Sequence, residues 1–350
     1  VNALGGGAVR LGRSGVRVGP LGFGAAGIGN LYTAMSDEQA HEAVTAAWQR
    51  GVRYFDTAPH YGLGLSERRL GTALRQFPRD RYTISTKVGR RLEPTRSGDG
   101  HGDDLAGGYG DDLADGFAVP ADHRRVWDFT ADGVRRTLEA SLERLGLDRV
   151  DVVYLHDPDD HAEQAFREGY PALERLRAEG VVGAIGAGMN QAGMLTRFVR
   201  DTDVDVVLCA GRYTLLDQRA GAELLPAAVE RGVSVVIGGA FNSGLLADPG
   251  RPGATYDYAR ADAGTLDRAL AMKAVADRHG ITLRAAALAF CAAHPAVASV
   301  LVGARSAAEV HDCADQFATP VPAAFWRDLR DTGLLPGDFA AGPPVAGERP

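Results

Sequence analysis

The sequence predicts an α/β protein built as a closed (β/α)8 barrel, on three observations. First, eight short apolar segments have strand length and are mostly rich in β-branched residues: 21–23, 52–55, 82–86, 150–155, 181–185, 204–208, 233–237 and 297–302. Near-continuous apolar runs suit parallel strands buried on both faces. Second, amphipathic helical stretches separate these segments. Strand then helix, repeated at no fixed sequence period, is the mark of such a barrel. Third, 350 residues with 45% hydrophobic and 24% charged side chains are enough to bury one large core.

The elements follow in order. Segments 9–12 and 16–18 flank Arg13-Ser14-Gly15, a hairpin signal ahead of the first barrel strand. Ser36 is placed to cap a helix, with Gln39 completing a capping box; Ala40, Ala43, Val44, Ala47 and Trp48 form its apolar stripe. Segments 66–74, 131–145, 162–178, 191–199, 217–231 and 306–317 read as further helices. Gly51, Gly180 and Gly232 stand just past three helix ends, where a left-handed residue stops a helix. A long insertion, 89 to about 127, carries six aspartates between Asp99 and Asp115 and many glycines. It is expected to bury little and to form a mobile flap. A second long loop, 239–264, follows the seventh strand, and one or two helices lie within 265–293. One domain over 1–335 and a disordered tail over 336–350 are expected.

Charge excludes some functions. Lys plus Arg total 38 against 45 Asp plus Glu, a formal charge of −7. Nucleic acid and anionic membrane surfaces both need a concentrated positive field, so neither is an expected partner. No apolar run reaches membrane-spanning length, and no charged segment followed by an apolar run marks a leader at the start. Cys209, Cys291 and Cys313 are too few for a disulfide framework, and buried thiols in a reducing cytoplasm are expected. The expected partner is a small molecule; no oligomeric state is legible.

Two further patterns lead elsewhere. Gly22-Phe23-Gly24-Ala25-Ala26-Gly27 is a literal G-x-G-x-x-G, but a dinucleotide fingerprint needs a helix to begin there, and the helix waits until Ser36. His156, Asp157, Asp159, Asp160 and His161 resemble a metal cluster. A metallohydrolase barrel would bring ligands from several other strand ends, so no metal is expected, and Asp159, Asp160 and His161 are expected to cap the next helix. The acidic insertion fits no regular calcium loop.

Residues just after strand C-termini converge on one mouth of a parallel barrel. Asp56 follows the second strand, Tyr61 lies on the next turn, Lys87 ends the third strand and His156 the fourth. A free phenol has a pKa of about 10, too high for a base near neutrality. A lysine cation beside it stabilises tyrosinate and is expected to lower that pKa. Asp56 can supply the counter-charge that a buried ammonium needs, and His156 can orient a substrate oxygen. Such a set moves a proton in step with hydride transfer, which needs a separate carrier. Trp127 and Phe129, just past the insertion, are candidates for the substrate pocket.

The run from Phe55-Asp56-Thr57-Ala58-Pro59-His60-Tyr61-Gly62 through Ser66-Glu67 and Leu70-Gly71 resembles the signature of the aldo-keto reductases. Thr86-Lys87-Val88-Gly89 and Tyr154-Leu155-His156 are similar to that family's lysine and histidine segments. Ile185-Gly186 and Val302-Gly303-Ala304-Arg305-Ser306 stand where the family has cofactor-binding loops. The resemblance runs from the N-terminal hairpin to about Phe317. It implies a TIM-barrel oxidoreductase that binds NAD or NADP without a Rossmann domain, with Asp56, Tyr61, Lys87 and His156 as its catalytic tetrad. Segments 156–161, 186–191, 210–218 and 241–244 are similar to the sugar and pyridoxal dehydrogenase branch. The implied reaction is oxidation of a cyclic hemiacetal, an aldose such as L-fucose or pyridoxal, to a lactone. Hydride leaves the carbon while Tyr61 removes the hydroxyl proton. The same fold also serves NADPH-dependent carbonyl reductases and cofactor-binding regulatory subunits of potassium channels, which are the alternatives.

The resemblance has departures. Where the family holds the nicotinamide carboxamide with Ser-Asn and Gln, this chain has Gly188-Met189 and Ala210; where a tyrosine stacks on the ring, it has Gly238. Asn190, Arg212 or Phe241 are the expected substitutes, with Met189 in the same set. The phosphates are expected at Phe241, Asn242, Ser243, Gly244 and Leu245 and at the helix that begins at Ser306, because helix N-terminal amides favour anions. Gly303, Arg305 and Glu309 complete the cofactor set, and Arg305 could reach a 2′-phosphate or cover adenine. Oxidation toward a lactone leans the choice to NAD.

Overall fold

In the computed structural model, which describes residues 7–95, 111–257 and 259–336, eight parallel strands close into a barrel. In chain order they are Leu21–Gly24, Tyr54–Asp56, Thr83–Val88, Val152–His156, Ala184–Met189, Val206–Ala210, Ser234–Gly238 and Val297–Gly303. Each pairs with the next, and the eighth closes on the first from Val300↔Leu21 to Gly303↔Gly24. The (β/α)8 fold class is therefore as expected.

The ladders end later than the apolar runs that announce them. Val52, Val150, Val182, Val204 and Val233 are buried but lie before their strands. At the other end, hydrogen bonding continues into Asp56, Lys87, His156 and Gly188, where hydrophobic pattern no longer marks the chain. These residues at the top of the ladder line the mouth where a parallel barrel carries its candidate site.

Side chains fill the barrel interior. Tyr54, Val152, Tyr154, Val206, Leu208, Val236 and Leu301 form one buried cluster, and Leu11 and Val18 of the N-terminal hairpin plug it. That hairpin pairs Val9–Arg10 with Arg17–Val18. A fully buried leucine such as Leu11 contributes about 2 kcal/mol by transfer from water. A larger cluster lies between the strands and the surrounding helices.

The helices follow local chemistry. Ser36 and Gln39 form a reciprocal capping box at Asp37–Gln49. Ala131–Leu145 begins at a Thr130 cap that accepts from the Gly133 amide. Gly51, Gly180 and Gly232 have positive φ at the three expected helix ends. Two expected helices differ from their single-run reading. Between 162 and 178 the chain forms Ala162–Gln164, a π-turn over Ala165–Gly169, and Tyr170–Ala178. Pro171 has no N–H for the ordinary ladder, and the Tyr170 amide donates to the Ala165 carbonyl, five residues back. Likewise 217–231 divides into Arg219–Ala222 and Leu224–Arg231, with the break just before Pro226. The stretch 265–293 resolves into Ala263–Arg278 and Leu283–Ala292. Ala323–Asp331 was not expected, yet its Phe325, Trp326 and Leu329 are buried.

The insertion corrects another expectation. Its ends are not an unburied flap: Arg90–Pro94 pairs antiparallel with His123–Trp127, and Phe117–Pro120 pairs with Asp111–Asp112. Phe117 and Val119 are buried with Leu63, against Leu31, Tyr61, Leu65 and Leu92. Two buried apolar side chains in a glycine- and aspartate-rich stretch, Phe117 and Val119, suffice to anchor it on Leu63. The middle of the insertion, 96–110, and the tail beyond 336 lie outside the described residues. Among the described residues no helix is long and apolar enough to cross a membrane.

Candidate active site

The second, third and fourth strands bring Asp56, Lys87 and His156 to the mouth, and the turn after the second strand returns Tyr61 over them. That turn needs glycine. Gly62 has φ +61, and a Cβ there would stand 2.1 Å from the Gly29 carbonyl oxygen.

Lys87 is 2% exposed and has three acceptors: Asp56 Oδ2 at 2.7 Å, the Thr57 carbonyl at 3.0 Å and Tyr61 Oη at 3.0 Å. Ser85 donates to the other Asp56 oxygen at 2.7 Å. Ser85 also meets the Tyr54 hydroxyl, which meets that of Tyr154, so the carboxylate stands on a buried chain of hydroxyls. Burial alone would lower the Lys87 pKa, but Asp56 and Tyr61 outweigh it and push it up, so the ammonium stays charged.

Tyr61 corrects the expectation of a lowered phenol pKa. Burial raises it and Lys87 offsets part of that rise; Asp56 and Asp157 add to it. The resting hydroxyl is protonated. Burial first, then the cations Arg90, Lys87 and Arg125, hold His156 well below the ordinary imidazole range. A neutral His156 is a hydrogen-bond donor or acceptor, not a cation. Its Nδ1 is buried without a partner.

The sequence reading missed several neighbours. Ser85 lies two residues before Lys87, and period-two alternation puts both on the inner face, a signal that was available. Arg90 pairs with Asp157 and lies over the Trp127 ring, 4.4 Å from its centroid. Asp157 has φ +42, and burial raises its pKa against the opposing pull of Arg90. Arg125 joins His60 to Asp112 and Asp115. These contacts cross from the insertion to the barrel, and no local pattern announces them.

The pocket candidates separate. Trp127 is 41% exposed, whereas Phe129 is fully buried and backs the wall from the core instead of lining it. His161 corrects the capping expectation: it makes no side-chain cap bond and lies 5.0 Å from the Trp127 ring. Asp159 and Asp160 lie with it in a short 3-10 turn that has no side-chain cap. Among the described residues, no group of three or more His, Cys, Asp or Glu side chains gathers as metal ligands would. Gly22–Gly27 is not followed by a long helix, only by a 3-10 turn at Gly27–Gly29. The three cysteines are free and buried, and burial pushes the Cys209 and Cys313 thiols up to about 12.

The expected cofactor residues line up along the ends of the fifth to eighth strands. Met189 is buried at the end of the fifth strand, with Asn190 half-buried after it. Arg212 is held by both Asp257 oxygens at 2.9 Å, which ties the sixth strand to the loop after the seventh. Phe241 is half-buried and Leu245 fully buried. Asn242, Ser243 and Gly244 have consecutive positive φ values, and the Asn242, Gly244 and Leu245 amides donate within the turn. Asn242 Nδ2 reaches the Gly211 carbonyl, while its Oδ1 is buried without a partner. A buried amide oxygen with no donor is the acceptor that a carboxamide would satisfy, so the residues present fit a nicotinamide. Gly303 is exposed at the end of the eighth strand. Ser306 caps the Ala307–Ala318 helix through the Glu309 amide, and the Glu309 carboxylate takes the Arg305 amide at 2.8 Å. The Arg305 guanidinium is directed to the Thr33 and Ala34 carbonyls.

A closed barrel with this lysine–aspartate–tyrosine cluster and a neutral histidine at its mouth has the make-up of an oxidoreductase. The sequence model of the Aldo/keto reductase family matches residues 20–332, and the chain belongs to that family. It is 45% identical over 326 residues to a D-threo-aldose 1-dehydrogenase of a Pseudomonas species, spanning 92% of this chain and 96% of that protein. It is 38% identical to a pyridoxal 4-dehydrogenase of Microbacterium luteolum, spanning 93% and 97%. Its structure resembles the holo form of an aldo-keto reductase from Bacillus halodurans, with a TM-score of 0.71, 26% identity and coverage of 93% and 95%. The chain is thus an enzyme of a family that uses NAD(P)(H).

Proposed function

We propose that this enzyme oxidises the hemiacetal carbon of a cyclic aldose to a lactone, with Asp56, Tyr61, Lys87 and His156 as its catalytic set. The observation that carries the mechanism is the Lys87 ammonium bonded at once to Asp56 and Tyr61. The 45% identity to an aldose 1-dehydrogenase supports the substrate class. Pyridoxal, whose hemiacetal also gives a lactone, is the second substrate to test, on the 38% relative.

Tyr61 Oη accepts the proton of the substrate hydroxyl. Before that, Tyr61 releases its own proton to solvent, becoming a tyrosinate that Lys87 stabilises, and Asp56 holds Lys87 charged and in place. Neutral His156 holds the substrate oxygen by hydrogen bonding and thereby sets which oxygen meets Tyr61. The bound dinucleotide supplies the hydride acceptor. The Asn242 amide and the end of the fifth strand, Met189 and Asn190, would hold the nicotinamide, and Arg212 would act through its Asp257 clamp on the covering loop.

NAD is the preferred form. Arg305 is engaged with backbone carbonyls, and the Glu309 carboxylate stands beside it in the first turn of the Ala307–Ala318 helix. A 2′-phosphate there would meet like charge.

Formation of reduced nicotinamide should be followed with NAD⁺ and separately NADP⁺, against L-fucose, D-arabinose, L-galactose and pyridoxal. Turnover of an aldose with NAD⁺ is the expected result, and Glu309→Gln should raise kcat/KM for NADP⁺ relative to NAD⁺. Oxidation of pyridoxal alone would replace the aldose assignment, and preference for NADP⁺ by the unaltered enzyme would reject the Glu309 argument.

A further inference from the structure

Among the insertion side chains that reach the active site, one is polar and fully engaged. Arg125, in the His123–Trp127 strand, is 11% exposed at its side chain and is gripped by Asp112 at 2.6 and 2.7 Å and by Asp115 at 2.9 Å. With the same guanidinium it donates to the His60 carbonyl at 2.9 Å and to His60 Nδ1. His60 is the residue before Tyr61.

A guanidinium only donates, so the Nδ1 that receives its hydrogen bond carries a lone pair. The imidazole is then either neutral with its proton on Nε2, or not bonded to Arg125 at all. Its surroundings support the neutral form: burial first, then Arg90, Arg125 and Lys87, push its pKa down to about 2. Among the described residues none accepts from Nε2. The ring lies beside both Tyr61 and His156, 6.0 and 5.6 Å away between centroids, and those two rings are 6.0 Å from each other; Phe117 stands at 5.2 Å on a further side.

The geometry points to His60 as a third group hydrogen-bonded to the substrate, beside Tyr61 and His156, donating from an Nε2–H form fixed by Arg125 of the insertion. Its acceptor is the hydroxyl on the carbon next to the hemiacetal carbon. This rests on the proposed aldose oxidation: while Tyr61 and His156 take the reacting oxygen, a donor beside both meets the neighbouring one. His60 then acts in specificity, since a substrate without that hydroxyl forfeits the bond. Arg125 is a positioning residue, and the His123–Trp127 strand that carries it is part of the substrate site.

Two measurements test it. Nitrogen NMR of the free enzyme should show His60 as a neutral Nε2–H tautomer from pH 5 to 8, and Arg125→Gln should abolish that single state. A protonated or Nδ1–H ring in the unaltered enzyme overturns the proposal, whether or not any sugar is turned over. Kinetics with an aldose and its 2-deoxy analogue form the second. His60→Phe should raise KM for the aldose about tenfold, the loss of one good hydrogen bond, with kcat changed less than about twofold. The 2-deoxy analogue should show the high KM already in the unaltered enzyme and no further rise in the variant. His60→Gln, which keeps an N–H near the Nε2 position, should recover part of the loss. Equal effects of His60→Phe on both sugars, or none on either, would overturn it. Failure of the unaltered enzyme to oxidise any aldose would instead strike the proposed function, and the NMR result would still decide the His60 tautomer.

Discussion

Lys87 illustrates how a buried charge is made tolerable. Its ammonium has Asp56, Thr57 and Tyr61 as acceptors and almost no access to water. Removing the counter-charge while keeping the shape, as in Asp56→Asn, leaves that cation unbalanced. A loss of about 3–5 kcal/mol in unfolding free energy is expected, to be read from urea denaturation of the two proteins; an unchanged midpoint would mean that Asp56 is not the partner that matters. The Tyr61 phenol is set by opposing fields: burial raises its pKa, Lys87 lowers it, and Asp56 and Asp157 raise it again. In the proposed mechanism oxidation needs Tyr61 without its proton, so its rate should climb with pH through the apparent pKa of the Tyr61–Lys87 pair. Reduction needs the proton and should fall over the same range. Asp157→Asn removes one raising field and leaves Arg90 unpaired, and both changes favour tyrosinate. The oxidation limb should therefore move to lower pH in a pH–rate profile. A shift to higher pH would reverse the assignment of these fields.

At the scale of elements, the sequence was most readable where one local rule acted alone. The Ser36–Gln39 capping box, the helix Ala131–Leu145 and the left-handed glycines at 51, 180 and 232 each needed only neighbours in the chain. Pattern failed where two rules competed. The apolar stripe over 162–178 continues through Pro171, but the backbone must change its hydrogen-bond spacing there. The insertion was misjudged for a related reason: composition dominated by glycine and aspartate hid the few residues, chiefly Phe117, that hold it down. Phe117 packs against Leu63 and Tyr61, which makes it the anchor between insertion and active site. Phe117→Ala should cost about 3–5 kcal/mol locally and free the hairpins before the barrel melts. Limited proteolysis should then cut the insertion faster than in the parent protein; equal cutting would mean that the apolar anchor is not what holds the insertion.

For the molecule as a whole, the closed barrel followed from eight apolar runs and needed no long-range information, because strands in this architecture pair in chain order. The site was legible for the same reason. Polar residues at successive strand ends converge whatever the loops do, which brings Asp56, Lys87 and His156 together. What stayed hidden depends on contacts between distant segments: Arg90 with Asp157, Arg125 with His60, and Arg212 with Asp257. At the opposite end, the Leu11 plug is a long-range contact of the same kind, joining the N-terminal hairpin to the barrel interior. Leu11→Ala should lower stability by about 2–5 kcal/mol while leaving kcat near its original value, since the plug lies far from the mouth. A large fall in kcat without loss of stability would show that the two ends of the barrel are coupled.

The central claim is that Tyr61, held by Lys87, takes the hydroxyl proton as hydride leaves the substrate carbon. Its most direct test is the turnover of Tyr61→Phe with an aldose and NAD⁺, beside a titration of cofactor binding. A fall in kcat of about 10²–10⁴-fold, the range for loss of a general acid–base group, is predicted, with the dissociation constant of NAD⁺ unchanged. Near-native turnover by the phenylalanine variant would contradict the mechanism, because that ring fills the same space and can carry no proton.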